Sequence, residues 1–228
     1  MRNDWLRPLG FFVVFGFLGV VLYASLPKLL GSAAGPDAEI VSYIKNAERD
    51  GIRFPGAPPL LGKKVFFDRI TVTVDADAHT AEAVATLDFD GTFGETKVSS
   101  LGYEKIRFKF ADGSWAPEGL LAPRLLAIVS ALERRRAALE KGDSAAMLAL
   151  GGEDGGAGDL DSVLAIGDRH YTARAWFIRS ERDTVLVTEE ARVRGKLPER
   201  PVDEDRTIRL TLEPAKSGGE FFFPHGLM

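Results

Sequence analysis

The sequence predicts an α+β protein that follows an N-terminal membrane-spanning helix. Three observations predict this class: an uncharged apolar run near the N-terminus, segments with helical periodicity, and segments in which apolar and polar residues alternate. Apolar residues every three to four positions mark the buried face of a helix, and strict alternation marks a half-buried strand. A hydrophobic content of 45% is enough for a globular domain with its own core.

Residues 1–35 are predicted to form a short cytoplasmic tail, a transmembrane anchor and a linker. No charged residue lies between Arg7 and Lys28, and about twenty residues at ~1.5 Å each cross the hydrocarbon core of a bilayer as a helix. This run is longer than the apolar part of a signal peptide, so we expect a retained anchor, with cleavage after the small residues 32–34 as the alternative. Arg2 and Arg7 favour a cytoplasmic N-terminus. The predicted protein is single-pass in the inner (plasma) membrane, with its C-terminal bulk periplasmic or extracellular.

Residues 36–117 are predicted to form one helix followed by antiparallel strands. Pro36 and Asp37 are helix start signals, and Gly51 is a stop signal. A Pro-rich loop follows, and alternation then predicts strands near residues 69–74, 83–90 and 105–110. The apolar face of the helix consists of Ile40, Val41, Ile44 and Ala47.

Residues 118–228 repeat the same order. A long helix is predicted from about Leu121 to Lys141, Gly142 ends it, and Asp143 is placed to cap a short helix that runs to Leu150. Alternation predicts the later strands at residues 171–180, 184–194, 208–212 and 221–223. The repeat suggests a duplication, although any two α+β halves share this general order, and that alternative stays open.

The second half resembles the nuclear transport factor 2-like superfamily. The residues that carry the resemblance are the long amphipathic helix, the Gly142-Asp143 break, the short helix over residues 144–150 and the long strands after it. The first half, with one helix and about four strands, is similar to the smaller cystatin-like relative. The resemblance implies a strongly bent antiparallel sheet that wraps its helices as a cone, although a clear third helix is missing from the pattern.

Several kinds of chemistry are excluded by the sequence. The chain has no Cys, so it has no thiolate nucleophile, thiolate metal site or disulfide, and it lacks the nucleophile-elbow, P-loop and dinucleotide-binding motifs. Asp75, Asp77 and His79 alternate between two strands, where they are ordinary turn residues, and the acidic residues within 153–161 fit no calcium motif. The sequence therefore predicts no metal and no cofactor.

Nucleic acid is not an expected partner. The net charge is −4, and a duplex-binding surface needs a concentrated excess of Lys and Arg. The densest basic run, residues 134–136, is three consecutive arginines on the long helix. We interpret it as a solvated helix face, with contact to anionic lipid as the alternative.

Four residues near the first strand of the second half are candidate cavity-lining residues. In enzymes of the resembled superfamily, a few polar residues inside the cone do acid–base work. The residues here are Asp168, His170, Tyr171 and Trp176. His and Tyr can polarise a carbonyl, and a desolvated Asp can abstract a proton.

The aromatic terminus is a candidate contact surface. Neighbouring residues of a strand point to opposite faces, so Phe222 should lie opposite Phe221 and Phe223 and be covered by another element or another chain.

The sequence favours a membrane-anchored bacterial envelope protein that is a non-enzymatic interaction or assembly module. Its expected partners are the membrane and either other proteins or a second copy of the chain. The alternative is a small apolar ligand-binding or isomerase/dehydratase-like protein that uses a cone-shaped cavity in the second half.

Overall fold

A computed structural model describes residues 35–50, 53–54, 59–150, 160–215 and 221–223. The predicted anchor lies outside these residues, and within them no helix is long and apolar enough to cross a membrane. The chain divides into two compact units, Met1–Glu39 and Ile40–Met228. The described part of the first unit is the start of a helix, where the Ala38 N–H donates to the Gly35 carbonyl at 2.9 Å.

Helices and strands occur in two successive groups. The helices are α1 (Pro36–Asp50), α2 (Pro123–Lys141), α3 (Ser144–Ala149) and α4 (Leu160–Leu164). The strands are β1 (Arg53–Phe54), β2 (Leu60–Asp75), β3 (Thr80–Phe93), β4 (Thr96–Ala111), β5 (Ser114–Pro117), β6 (Gly167–Ser180), β7 (Val185–Leu197), β8 (Arg200–Pro214) and β9 (Phe221–Phe222). The predicted α+β class is confirmed. Strand β2 begins at Leu60, inside the Pro-rich loop predicted over residues 55–62, and Leu60 is buried in the core.

The described strands form one sheet in the order β1-β2-β3-β4-β6-β7-β8-β9, with β5 paired to β4. Neighbours are antiparallel except β4 and β6, which pair in parallel from Lys97 with Ala175 to Gly102 with Ser180. The two predicted halves therefore share one sheet through this parallel pair of strands, which we call the seam. The predicted boundary between residues 117 and 118 falls between β5 and α2 and stays a prediction.

The seam between β4 and β6 ends at a glycine. Gly102 has φ of +144°, a conformation that L side chains rarely adopt. A Cβ atom at Gly102 would lie 1.9 Å from the backbone oxygen of Ser180. A side chain at this position would force the two strands apart.

Helix α2 covers one face of the sheet with its apolar stripe. Leu125, Ile128, Leu132 and Leu139 are buried, at the three- and four-residue spacing that aligns side chains on one helix face. Gly142 ends the helix in the left-handed conformation, with φ of 68°. As predicted, Asp143 caps the next helix, since the Ala146 N–H donates to its Oδ1 at 2.9 Å.

Candidate functional site

Two of the four predicted cavity-lining residues are buried inside the fold. Tyr171 and Trp176 on β6 are almost completely buried. The Tyr171 hydroxyl donates to Glu189 Oε1 at 3.1 Å, and Arg135 Nη1 donates to Glu189 Oε2 at 2.7 Å. The side chains of Arg135 and Glu189 are only 3% and 2% exposed. We call Arg135, Tyr171, Trp176 and Glu189 the buried polar cluster.

The other two predicted residues lie on the surface. The side chains of Asp168 and His170 are 81% and 76% exposed. Asp168 Oδ2 lies 3.6 Å from Lys196 Nζ, and His170 Nδ1 lies 3.3 Å from Glu140 Oε1. The side chains of a strand alternate between its two faces, so β6 sends His170 outward and Tyr171 inward.

Sequence reasoning missed both charged members of the buried polar cluster. The interpretation of residues 134–136 as a solvated face is wrong for Arg135, although Arg134 is exposed. Arg135 stands three residues after Leu132 and four before Leu139, on the buried stripe of α2. Glu189 likewise occupies a buried position of the alternating pattern of β7. The available signal was a positive charge on the apolar stripe of α2 together with a negative charge at an inward position of β7.

Within the buried polar cluster, Tyr171 is a neutral hydrogen-bond donor to Glu189. Burial, followed by the nearby Glu189 carboxylate, raises the pKa of the Tyr171 phenol well above its ordinary value. The phenol therefore keeps its proton, and the Glu189 carboxylate accepts its hydrogen bond. Two buried donors of the cluster, Arg135 Nε and Trp176 Nε1, have no partner within the described residues.

A second feature is an open groove of about 690 Å³ at the junction of the two halves. It lies where β6 ends, between the edge of β4, the start of α2 and the strands β8 and β9. The residues that give it its chemistry are Tyr103, Lys105, Arg107, Leu120, Arg124 and Phe221. We call it the junction groove.

Arg124 is held in place at the wall of the junction groove. Its Nε donates to Ser180 Oγ at 2.8 Å, and its Nη2 donates to the Glu181 carbonyl. The guanidinium carbon lies 5.3 Å from the centre of the Tyr103 ring and 4.9 Å from that of the Phe221 ring, within the range of cation–π attraction. Partial burial lowers the pKa of Arg124, although an arginine stays charged at neutral pH.

Behind the groove, a buried carboxyl caps helix α2. The residue before the helix, Ala122, offers no side-chain hydrogen bond. Glu104 on β4 replaces that cap, because its Oε1 accepts from the Arg124 N–H at 2.7 Å and its Oε2 from the Leu125 N–H at 3.2 Å. Burial raises the pKa of Glu104 to about 8, against the lowering effect of these amides.

The aromatic terminus meets the core with two of its three rings. Phe221 and Phe223 are buried, and Phe222 between them is half-buried. Phe221 also lines the junction groove, and the Phe223 N–H donates to the Leu150 carbonyl at 3.0 Å. The predicted contact surface around Phe222 stays a prediction.

None of the described residues forms a cluster of three or more His, Asp or Glu side chains that could hold a metal ion. The acidic residues within 153–159 lie outside the described residues.

Comparisons with known proteins give partial likenesses of fold. No family model and no curated protein matches this chain. A solved structure of "a putative ketosteroid isomerase" from Shewanella frigidimarina is 17% identical, covers 42% of this chain and 90% of its own, and has a TM-score of 0.35. A solved NTF2-like protein involved in plasmid conjugation is 9% identical, covers 72% of this chain and 75% of its own, and has a TM-score of 0.30. An NTF2-like protein is thus among the similar structures.

Proposed function

We propose that this chain is a membrane-anchored envelope protein that acts as a non-enzymatic interaction or assembly module, and that its junction groove takes an acidic, partly apolar segment of a protein partner. The charge of the groove is the observation that carries the proposal. Lys105, Arg107 and Arg124 line it together with one carboxylate, Glu118. Lys105 is paired with Glu82 at 2.5 Å, so Arg107 and Arg124 supply most of the free positive charge. Opposite charge across an interface steers a partner and fixes its orientation.

The apolar lining supports a peptide rather than a free anion. Leu120, which is 42% exposed, and the Phe221 ring stand beside the three cations. Interfaces commonly combine an aromatic or arginine anchor with a polar rim. The Arg124 guanidinium, fixed between two rings, is such an anchor and loses little side-chain freedom on binding.

A labelled peptide tests the groove. The full chain in lipid nanodiscs is titrated against a short fluorescent peptide of alternating Glu and Leu, with an alternating Lys and Leu peptide as the control. Arg107→Glu should weaken binding of the acidic peptide at least tenfold, which is about 1.4 kcal/mol. Fluorescence anisotropy measures the affinity. Arg209→Glu, an exposed arginine on β8, is the matched control and should leave affinity unchanged. Equal binding of both peptides, or equal loss in both variants, would contradict the proposal.

The anchor is a separate part of the proposal and has its own test. The uncharged run between Arg7 and Lys28 supports it. Alkaline phosphatase fused after Met228 should be active and remain in the membrane fraction. A freely soluble product that begins near Gly35 would show cleavage instead.

A second candidate function, binding of a small apolar ligand that carries a hydrogen-bond acceptor, is favoured by one observation. Arg135 Nε and Trp176 Nε1 are buried donors without a partner in the described residues, and unmade buried hydrogen bonds are costly. Titration with cyclohexanone, followed by ligand-observed NMR, tests this function. Binding that disappears in Trp176→Phe would support it, and the same signal in wild type and variant would end it.

A further inference from the structure

The face of the sheet opposite α2 carries several large apolar side chains in the open. Leu101 is 55% exposed, and Phe66, Phe177 and Leu186 are 46%, 47% and 47% exposed. They stand on the strands β2, β4, β6 and β7, with β3 between β2 and β4, and therefore extend over both predicted halves. Large exposed apolar side chains gathered on one sheet face, with charged side chains between them, are a candidate interaction surface.

Five residues of this face lie in one line across five strands. The strand register pairs Phe66 with Asp88, Asp88 with Leu101, Leu101 with Arg179, and Arg179 with Leu186. Neighbouring strands are about 4.8 Å apart, so the five positions are evenly spaced. We call this line the central row.

From either end, apolar and charged residues alternate along the central row in the same way, but its two charged residues have opposite signs. It runs apolar, acidic, apolar, basic, apolar, with Leu101 at its centre. Consider a twofold axis between two copies that runs parallel to β4 and passes beside Leu101. It would place Asp88 of one copy against Arg179 of the other. The same axis places Phe66 against Leu186 and Leu101 against its own counterpart. A twofold interface uses one self-complementary patch in this way.

We infer that the chain forms a symmetric homodimer in which the central rows of two copies pack face to face about this axis. The inference deepens the proposed interaction module by naming a second copy of the chain as one partner, on a surface separate from the junction groove. Shifting the second sheet by one strand would set Leu101 against Arg179. Shifting it by two strands would set Arg179 against itself. The charges therefore specify one register.

Both charged residues of the central row form ion pairs within their own copy, and these pairs could be exchanged for pairs between two copies. Asp88 lies 2.5 Å from Lys64, and Arg179 lies 3.5 Å from Glu181, both in exposed pairs. Exposed ion pairs of this kind contribute little to stability. Exchanging them for pairs between two copies therefore costs little.

A charge-reversal experiment tests the axis. Asp88→Arg would set two arginines against each other at each end, and Arg179→Asp would set two carboxylates against each other. Each variant alone should form at least tenfold less dimer than wild type. A mixture of the two variants restores both opposite-charge pairs, as does the double variant D88R/R179D, so both should recover the dimer. Circular dichroism confirms that each variant is folded.

The readout uses the absence of Cys from the chain. Packed sheets are about 10 Å apart, beyond the Cα separation of about 7 Å that a disulfide bridges, so a short bis-maleimide replaces a disulfide. Leu101→Cys in the full chain, in native membranes, should be cross-linked to a dimer. Leu120→Cys, exposed at the junction groove, is the matched control and should stay monomeric.

Two results would overturn the homodimer. One is equal cross-linking of the two cysteine variants, and the other is a mixture of D88R and R179D chains that fails to recover the dimer. The two proposals fail separately, because Arg107→Glu should leave the cross-link unchanged and Asp88→Arg should leave binding of the acidic peptide unchanged.

Discussion

Each predicted half contributes one buried carboxyl to helix α2, and the two carboxyls have different partners. Glu104 of the first half accepts hydrogen bonds from backbone amides at the start of the helix. Glu189 of the second half accepts from the Arg135 guanidinium and the Tyr171 hydroxyl. Both carboxyls are buried, but only Glu189 is paired with a full positive charge, that of a guanidinium. Burial alone therefore does not decide which kind of partner a carboxyl has.

The two carboxyls differ in which buried groups are left unpaired when one member of the interaction is removed. Removing a guanidinium from Glu189 leaves a buried charge beside a single hydroxyl. Removing Glu104 leaves two neutral N–H groups at a helix start. We therefore expect the second half to be the more sensitive of the two regions.

The largest effect should come from Arg135→Met. Breaking a buried ion pair from one side costs about 3–5 kcal/mol, and urea unfolding of the full chain in mild detergent measures it. Arg136→Met is the matched control, since its 2.7 Å pair with Glu133 is on the surface with both side chains over a quarter exposed, and it should cost below about 0.5 kcal/mol. The double variant R135M/E189L should recover part of the loss. Equal losses for Arg135 and Arg136 would remove the contrast between the two arginines.

The next effect concerns Glu104 and depends on pH. Its folded-state pKa of about 8 lies above the ordinary value of 4.5, so between these values the folded chain keeps a proton that the unfolded chain has lost. The free energy of unfolding should therefore fall as pH rises from 4.5 to about 8, by up to ~1.4 kcal/mol per pH unit.

Glu104→Gln should remove this slope and cost about 1–2 kcal/mol at low pH through the weakened cap. Urea unfolding at several pH values measures both quantities. A wild-type slope that persists in the variant would assign the titration to another group.

The smallest effect should come from Tyr171→Phe. It removes one hydroxyl from Glu189 but leaves the Arg135 pair and the ring in place, so it should cost about 1 kcal/mol. The same unfolding measurement gives the value. A loss as large as that of Arg135→Met would mean that the hydroxyl and the guanidinium act as one unit.

The local patterns of the sequence predicted most of the elements. The period of two at Ala83, Ala85, Leu87 and Phe89 predicted a strand that buries these residues, and all four are buried in β3. The Gly142-Asp143 break fell where α2 ends and α3 begins. These elements depend on nearest neighbours along the chain, and local periodicity reports such neighbours.

The seam and the buried polar cluster could not be predicted in the same way. Which strand lies beside β4 depends on residues far apart in sequence, such as Thr96, whose hydroxyl donates to the Ala173 carbonyl at 2.9 Å. Arg135 and Glu189 look like surface residues when each is read alone. Only their opposite charges at two apolar positions show that each is the other's partner.

The seam between β4 and β6 also has a consequence for the order of folding. Strands β2, β3 and β4 are consecutive and antiparallel, so they can pair as soon as they leave the ribosome. The seam joins residues such as Thr96 and Ala173, which are 77 positions apart, and contacts between distant residues form slowly because a long loop must close first. Until β6 arrives, the edge of β4 that will receive it stays unpaired, and unpaired strand edges invite aggregation. We therefore expect the slow step of folding, and the period of greatest risk for the nascent chain, to be the closure of this one parallel pair.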